Sequence, residues 1–178
     1  MRETNDSAPQ VRVRSAEDLP GCVAVLRAVH EQDRYPVRWP PDPERWLAHD
    51  ADDTGWVAQL DGRIVGHVLL VRPDGGDVAP GLLAPDTPVA VVSRLFVDPA
   101  ARGRRIGALL LDRAAREAQS RGARAVLDVV TSDRAAIALY ERLGWEFLAA
   151  GQQEWGPGEL VDVRCYTAPP VPTLKEVR

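Results

Sequence analysis

A mixed α/β (α+β) fold is expected, with a mostly antiparallel central sheet of about seven strands flanked by about four helices. Three observations predict it. The β-branched run Val89–Val97 reads as a buried strand, is stopped by Asp98-Pro99, and passes through a glycine-containing loop into a helix. Asp61-Gly62 joins two apolar runs, Trp56–Leu60 and Arg63–Val71, as a two-residue hairpin, which argues against a mainly parallel sheet. The remaining patterns complete the order β-α-(α)-β-β-β-α-β-α-β-β.

Along the chain, Val11–Arg14 alternates as a first strand, and Ser15 with Asp18 marks a helix start. Leu19, Cys22, Val23, Leu26 and Val29 then form a helical stripe, with Pro20-Gly21 in its early turns. A proline-rich break carrying Tyr35 and Trp39 follows, then a short helical patch at 44–49. These aromatics either line a substrate mouth or cover the core. Residues 72–88, rich in proline and glycine, are expected to form a long loop, read as a rim of an acceptor site. The helix after the central strand is expected from about Arg104 to Arg121, with a stripe of Ile106, Leu109, Leu110 and Ala114 and with Gly122 as its C′ residue. Ala123–Val130 reads as a strand, Thr131-Ser-Asp opens a helix over Arg134–Leu143 closed by Gly144, and Trp145–Leu148 is a short strand. Residues 151–158 read as a turn and Leu160–Thr167 as a last strand. A single domain is expected over 11–167, with flexible tails at 1–10 and 168–178.

The 178-residue chain is 45% hydrophobic and 27% charged, an ordinary globular composition. Its net charge of −4 gives no general attraction to nucleic acid or to an anionic membrane, and neither partner is expected. Cys22 and Cys165 are too few for a disulfide framework or a metal knuckle, so no metal is expected. No apolar run reaches ~18 residues and no signal-peptide core opens the chain, which leads to the expectation of a cytoplasmic protein, monomer or homodimer.

The strand, short loop and helix start at 95–108 read either as an ordinary strand-to-helix connection or as an anion site, because the first turn of a helix presents unbonded N–H groups and the positive end of its dipole. Gly103 and Gly107 permit close approach, and Arg102, Arg104 and Arg105 add positive charge. The pattern lacks the Lys-Ser/Thr of a nucleoside-triphosphate loop. Arg102-Gly103-Arg104-Arg105-Ile106-Gly107 resembles the pyrophosphate-binding motif Arg/Gln-x-x-Gly-x-Gly/Ala of the GNAT superfamily of acyl-CoA N-acyltransferases, with Arg105 in place of the first motif glycine. Further on, Asp133-x-x-Ala136-x-x-x-Tyr140-x-x-x-Gly144-Trp145 is similar to that family's Asn-x-x-Ala-x-x-x-Tyr-x-x-x-Gly-Phe. The resemblance runs over roughly 11–167 and implies the GNAT fold.

It also implies direct transfer of acetyl from acetyl-CoA, as co-substrate, to a primary amine of a small molecule or peptide. On that basis the main chain of Leu95, Phe96 and Val97 would hold the pantetheine arm. The main chain of Gly103, Arg104, Arg105, Ile106, Gly107 and Ala108 would hold the pyrophosphate, with Arg102 at its entrance. Tyr140 would protonate the leaving thiolate; the competing reading is an amphipathic core aromatic. Asp133 would contact the cofactor, whereas its local reading is a helix N-cap. Asp128, mid-strand in Ala-Val-Leu-Asp-Val-Val, is either a base acting through water or an ion-paired structural carboxylate. His67 is a competing base or a hydrogen-bonded packing residue. The family's glutamate on the central strand is missing, since Ser93 and Arg94 stand there. A non-catalytic acyl-CoA-binding sensing domain is the alternative function.

Overall fold

Alternating and β-branched runs become seven strands: β1 (Gln10–Val13), β2 (Thr54–Leu60), β3 (Arg63–Val71), β4 (Val89–Val97), β5 (Arg124–Val130), β6 (Glu146–Gly156) and β7 (Glu159–Thr167). The helical stripes become α1 (Leu19–Asp33), α2 (Pro43–Ala48), α3 (Ile106–Ser120) and α4 (Arg134–Arg142). The structure, a computed structural model, describes residues 7–170. The strands form a sheet of order β1-β2-β3-β4-β5-β7-β6. Pairing is antiparallel for β1–β2, β2–β3, β5–β7 and β6–β7, and parallel for β4–β5 over Val89↔Arg124 to Val91↔Val126. The predicted fold class, a mixed and mostly antiparallel seven-stranded sheet with four helices, is the one found. The described residues fall into two units, 7–71 with 92–114 and 72–91 with 115–170; β4 and α3 each run from one into the other.

In the first unit, Ser15 and Asp18 act as read from the sequence, but through a short 3-10 turn at Ala16–Asp18 that leads into α1. The Asp18 carboxylate accepts from the Ser15 backbone N–H at 2.7 Å and from both ends of the Arg12 guanidinium at 2.7 Å. These donors hold its carboxyl well below the usual carboxylate range. Pro20 is tolerated because first-turn N–H groups have no intrahelical acceptor to lose. Cys22, Val25, Leu26 and Val29 of α1 pack with Leu47, Val57 and Phe96, and Tyr35, Trp39 and Trp46 lie against that cluster. Burial pushes the Cys22 thiol up to about 12. Gly66 on β3 makes room for α3, since a Cβ there would meet Ile106 and Leu110 side chains at 3.0 Å. The buried face of α3 is Ile106, Leu110, Leu111, Ala114, Ala115 and Ala118; the predicted stripe member Leu109 is 41% exposed. Spacing of four from Ile106 sets this face, and Leu109 falls beside it.

In the second unit, α3 and α4 end as their glycines predict. Gly122 and Gly144 adopt left-handed φ of 71° and 81°. Ala123 N–H donates to Ala118 and Gly122 N–H to Gln119, while Trp145 N–H donates to Tyr140 and Gly144 N–H to Glu141, the paired bonds of a Schellman ending. The expected short strand at Trp145–Leu148 and turn over 151–158 are corrected. β6 continues to Gly156, paired from Glu146↔Thr167 to Gly156↔Glu159, and only Pro157-Gly158 turns the chain. Gly151 is a close-approach glycine rather than a turn residue: a Cβ on it would meet Val78 Cγ1 at 2.7 Å. Ala168, the first residue of the expected C-terminal tail, is buried and its N–H donates to Ala125 O at 2.9 Å. Residues 1–6 and 171–178 of the two expected tails lie outside the described residues. Among the described residues no helix is long and apolar enough to cross a membrane.

Gly151→Ala is expected to lower unfolding stability by about 1–3 kcal/mol through overpacking against Val78. Adding Val78→Ala should return a large part of that loss, and thermal unfolding of the single and double variants measures both.

Candidate active site

The loop expected to bind an anion runs from Asp98 into the start of α3. After Asp98-Pro99 the chain makes a 3-10 turn at Pro99–Ala101, with the Asp98 carboxylate accepting from Ala100 N–H at 2.9 Å. Gly103 and Arg105 then take left-handed φ of 84° and 61°. Arg105 therefore occupies a backbone conformation suited to glycine, which is the physical reason a motif glycine belongs there. Its carbonyl accepts from Leu109 N–H at 3.0 Å, so the N–H groups of Ile106, Gly107 and Ala108 have no intrahelical acceptor. Ile106 is buried and anchors the first turn, while Arg102, Gly103, Arg104 and Arg105 are exposed. The Arg102 guanidinium pairs with Asp33 at the end of α1.

Leu95, Phe96 and Val97 end β4 in the same unit, with Phe96 buried and its neighbours half-buried. Just before them, Arg94 adopts φ 51° inside the strand, an outlier for a non-glycine residue. Its guanidinium carbon lies 4.5 Å from the Trp46 ring centroid. Its carbonyl accepts from Nδ1 of His67 at 2.8 Å. Arg14 Nη1 donates to His67 Nε2 at 2.8 Å and to Leu47 O at 2.6 Å. A guanidinium only donates, so Nε2 accepts and Nδ1 carries the proton. The ring is 0% exposed, stacked on Phe96 at 5.1 Å, and burial pushes its pKa down to about 3. With both nitrogens committed, His67 has no lone pair for a substrate proton, and the structure removes it as a competing base.

In the second unit Asp128 is held by donors. Its carboxylate accepts from Val78 N–H at 2.6 Å, Ala79 N–H at 2.9 Å and Gln153 Nε2 at 2.7 Å. Val78 and Ala79 begin a 3-10 turn (Ala79–Leu82), so the predicted 72–88 loop is pinned to β5 and β6. These three donors are amides, whereas the structural alternative weighed from the sequence was an ion pair with an arginine. Asp133 caps α4 by accepting from Ala136 N–H at 3.0 Å. Tyr140 lies two turns on, buried, with its ring 6.0 Å from those of Trp145 and Tyr166. Tyr166, which sequence reasoning did not single out, accepts from Arg164 Nε at 3.0 Å and donates to Glu141 at 2.9 Å.

Among the described residues, His49, Asp50 and Asp53 bring potential metal-ligating atoms within 4.8 Å of one another. His49 Nδ1 and the Asp50 N–H both engage the same Asp53 oxygen, which closes the turn after α2.

Residues 23–145 match the model of the acetyltransferase (GNAT) family. The chain is 34% identical over 136 residues to an IAA acetyltransferase of Azospirillum brasilense, covering 75% of this chain and 84% of that protein. It is 35% identical over 103 residues to an uncharacterised N-acetyltransferase of Methanocaldococcus jannaschii, covering 57% of this chain but only 43% of that longer protein. In fold it is similar to Arabidopsis thaliana NAA60 in complex with acetyl-CoA, with a TM-score of 0.68 at 18% identity over 90% of this chain and 97% of that one.

Two outcomes follow from this geometry. Arg105→Gly relieves a left-handed L-residue and should raise stability by up to about 1 kcal/mol, whereas the β-branched Arg105→Val should lower it; denaturant unfolding reads both. For His67 the folded pKa lies below the unfolded value near 6.5, so the unfolded chain binds the extra proton between those values. Stability from this group is complete above about pH 6.5 and falls as pH drops toward 3. His67→Gln should flatten that part of the stability–pH curve, and the wild-type ring should show no NMR titration near pH 6.5.

Proposed function

Because the chain belongs to the acetyltransferase (GNAT) family, we propose that it moves the acetyl group of acetyl-CoA directly to a primary amine of a small molecule or peptide. The observation that carries this reading is the opening of α3. The left-handed Gly103 and Arg105 turn the chain so that Ile106, Gly107 and Ala108 begin the helix with unbonded N–H groups, in the same unit as the Leu95–Val97 strand end. Backbone donors and the helix dipole suit a pyrophosphate, and the exposed Arg104 and Arg105 add positive potential. The strand segment Leu95–Val97 would hold the pantetheine arm by its main chain.

Bound acetyl-CoA supplies an activated thioester. The acceptor's ammonium loses a proton to water, its nitrogen forms the new N–C bond and sheds a second proton to water as the amide forms, and the C–S bond breaks. The departing thiolate takes a proton, which we assign to the Tyr140 hydroxyl, and the phenolate regains one from solvent. Neither cysteine lies in these segments and both thiols are buried, which favours direct transfer over an acyl-enzyme. For Asp128, three donors on one carboxylate support anchoring of the 72–88 segment more directly than proton removal.

The test is an amine panel assayed by free-thiol release, with acetyl-CoA binding followed by thermal shift. Tyr140→Phe should lower kcat roughly 10²-fold with acetyl-CoA affinity retained. Asp128→Asn should raise the acceptor KM and keep the acidic limb of the pH–rate profile; loss of that limb would instead make Asp128 the base. Acetyl-CoA binding without transfer to any amine would reveal a sensing domain.

A further inference from the structure

Arg94 is the charged residue of the site whose placement the transfer reading leaves unused. It stands inside β4, one residue before the Leu95–Val97 segment, in a left-handed conformation with φ 51°. Such a conformation is strained for an L-residue. The turn is over-determined: a buried neutral imidazole donates to the Arg94 carbonyl, and Arg14 holds that imidazole from its other side. Strain kept in place this way is characteristic of functional positions. The side chain is delivered to the Trp46 ring, 4.5 Å away, on a helix that packs with Tyr35 and Trp39 against the α1 cluster.

We propose that Arg94, seated on Trp46, is the carboxylate-binding residue of the acceptor site, so that the preferred acceptor carries a carboxylate close to its primary amine. The inference rests on the acetyl-transfer reading. A guanidinium stays protonated and cannot relieve the acceptor of its proton, but its planar fork of donors matches a carboxylate, and an aromatic face keeps that fork oriented. The same charge serves the chemistry a second way. A fixed cation near an ammonium group disfavours its charged form, which raises the share of neutral amine available for attack. Arg14, on the other side of His67, adds to the positive potential, while Asp18 and Asp53, which act on Arg14, are engaged by Arg12 and His49.

The experiment compares L-phenylalanine, L-leucine and L-methionine, each with its own carboxamide, as acceptors in the thiol-release assay. The carboxamide's amine is the more readily deprotonated, so a preference for the acid reports recognition of the carboxylate itself. The wild type is expected to favour the acids in kcat/KM by about tenfold or more, and Arg94→Gln to reduce the acid-to-amide ratio roughly 10- to 100-fold. Arg94→Lys should keep part of the preference. Calorimetric titration of the N-acetyl acids and N-acetyl amides in the presence of CoA reads the same contact without turnover. Equal or better use of the amides by the wild type, or an unchanged ratio in Arg94→Gln, overturns the subsite while transfer to amides keeps the acetyltransferase reading. Absence of any transfer, with Arg94-dependent binding of the N-acetyl acids, keeps the subsite and overturns the transfer reading. Should Arg94→Gln fail to fold, judged by loss of the acetyl-CoA thermal shift, the wild-type ratio and Arg94→Lys decide.

Discussion

The buried imidazole of His67 is the contact on which the β4 end of the site depends. A neutral ring has one donor and one acceptor on opposite edges, so it can join a cation to a carbonyl across a dry interior. Here it joins Arg14 to the main chain of Arg94. A buried donor left without a partner costs about 1–3 kcal/mol, comparable to the strain of a left-handed arginine. Each feature therefore makes the other tolerable: the turned strand satisfies the ring, and the ring keeps the strand turned. Protonation would put a third positive charge beside two guanidiniums, which is why burial and both arginines act to lower the His67 pKa.

The start of α3 uses the same backbone conformation for another purpose. Gly103 and Arg105 lie in the left-handed region, in an exposed arginine-rich turn that opens the helix. Gly66 on β3 and the buried Ile106 and Leu110 set how closely the helix lies on the strands of its unit. A first turn seated by large aliphatic contacts is rigid, and rigid donors need little reorganisation to receive an anion.

Asp128 organises the second unit in a comparable way. A single carboxylate gathers two consecutive backbone N–H groups from one segment and a glutamine from β6. It converts what composition alone describes as a long proline- and glycine-rich loop into a docked segment, and Gly151 leaves the space in which Val78 sits.

Much of this protein was legible from local chemistry. Periodicity placed the strands and helices. Asp133 announced an N-cap, Gly122 and Gly144 announced helix ends, and Asp61-Gly62 a hairpin. Spacing of glycine and arginine marked the turn that leads into α3, and the two motifs named the family. These signals act within a turn or two of sequence, so neighbours in the chain suffice to decide them. What the chain order could not reveal is which groups meet across long separations. His67 read first as a packing or hydrogen-bonded residue with a base as the competing reading, and only the fold shows that Arg14 and Arg94 close on its two nitrogens. Asp128 was open between base and ion pair, and the chain order gave no sign that amides 49 and 50 residues away would donate to its oxygens. Gly151 resembled a turn residue because turn and close-approach glycines are identical in sequence and differ only in what lies opposite. Burial removes water as the default partner of every polar group, and tertiary packing alone decides what replaces it.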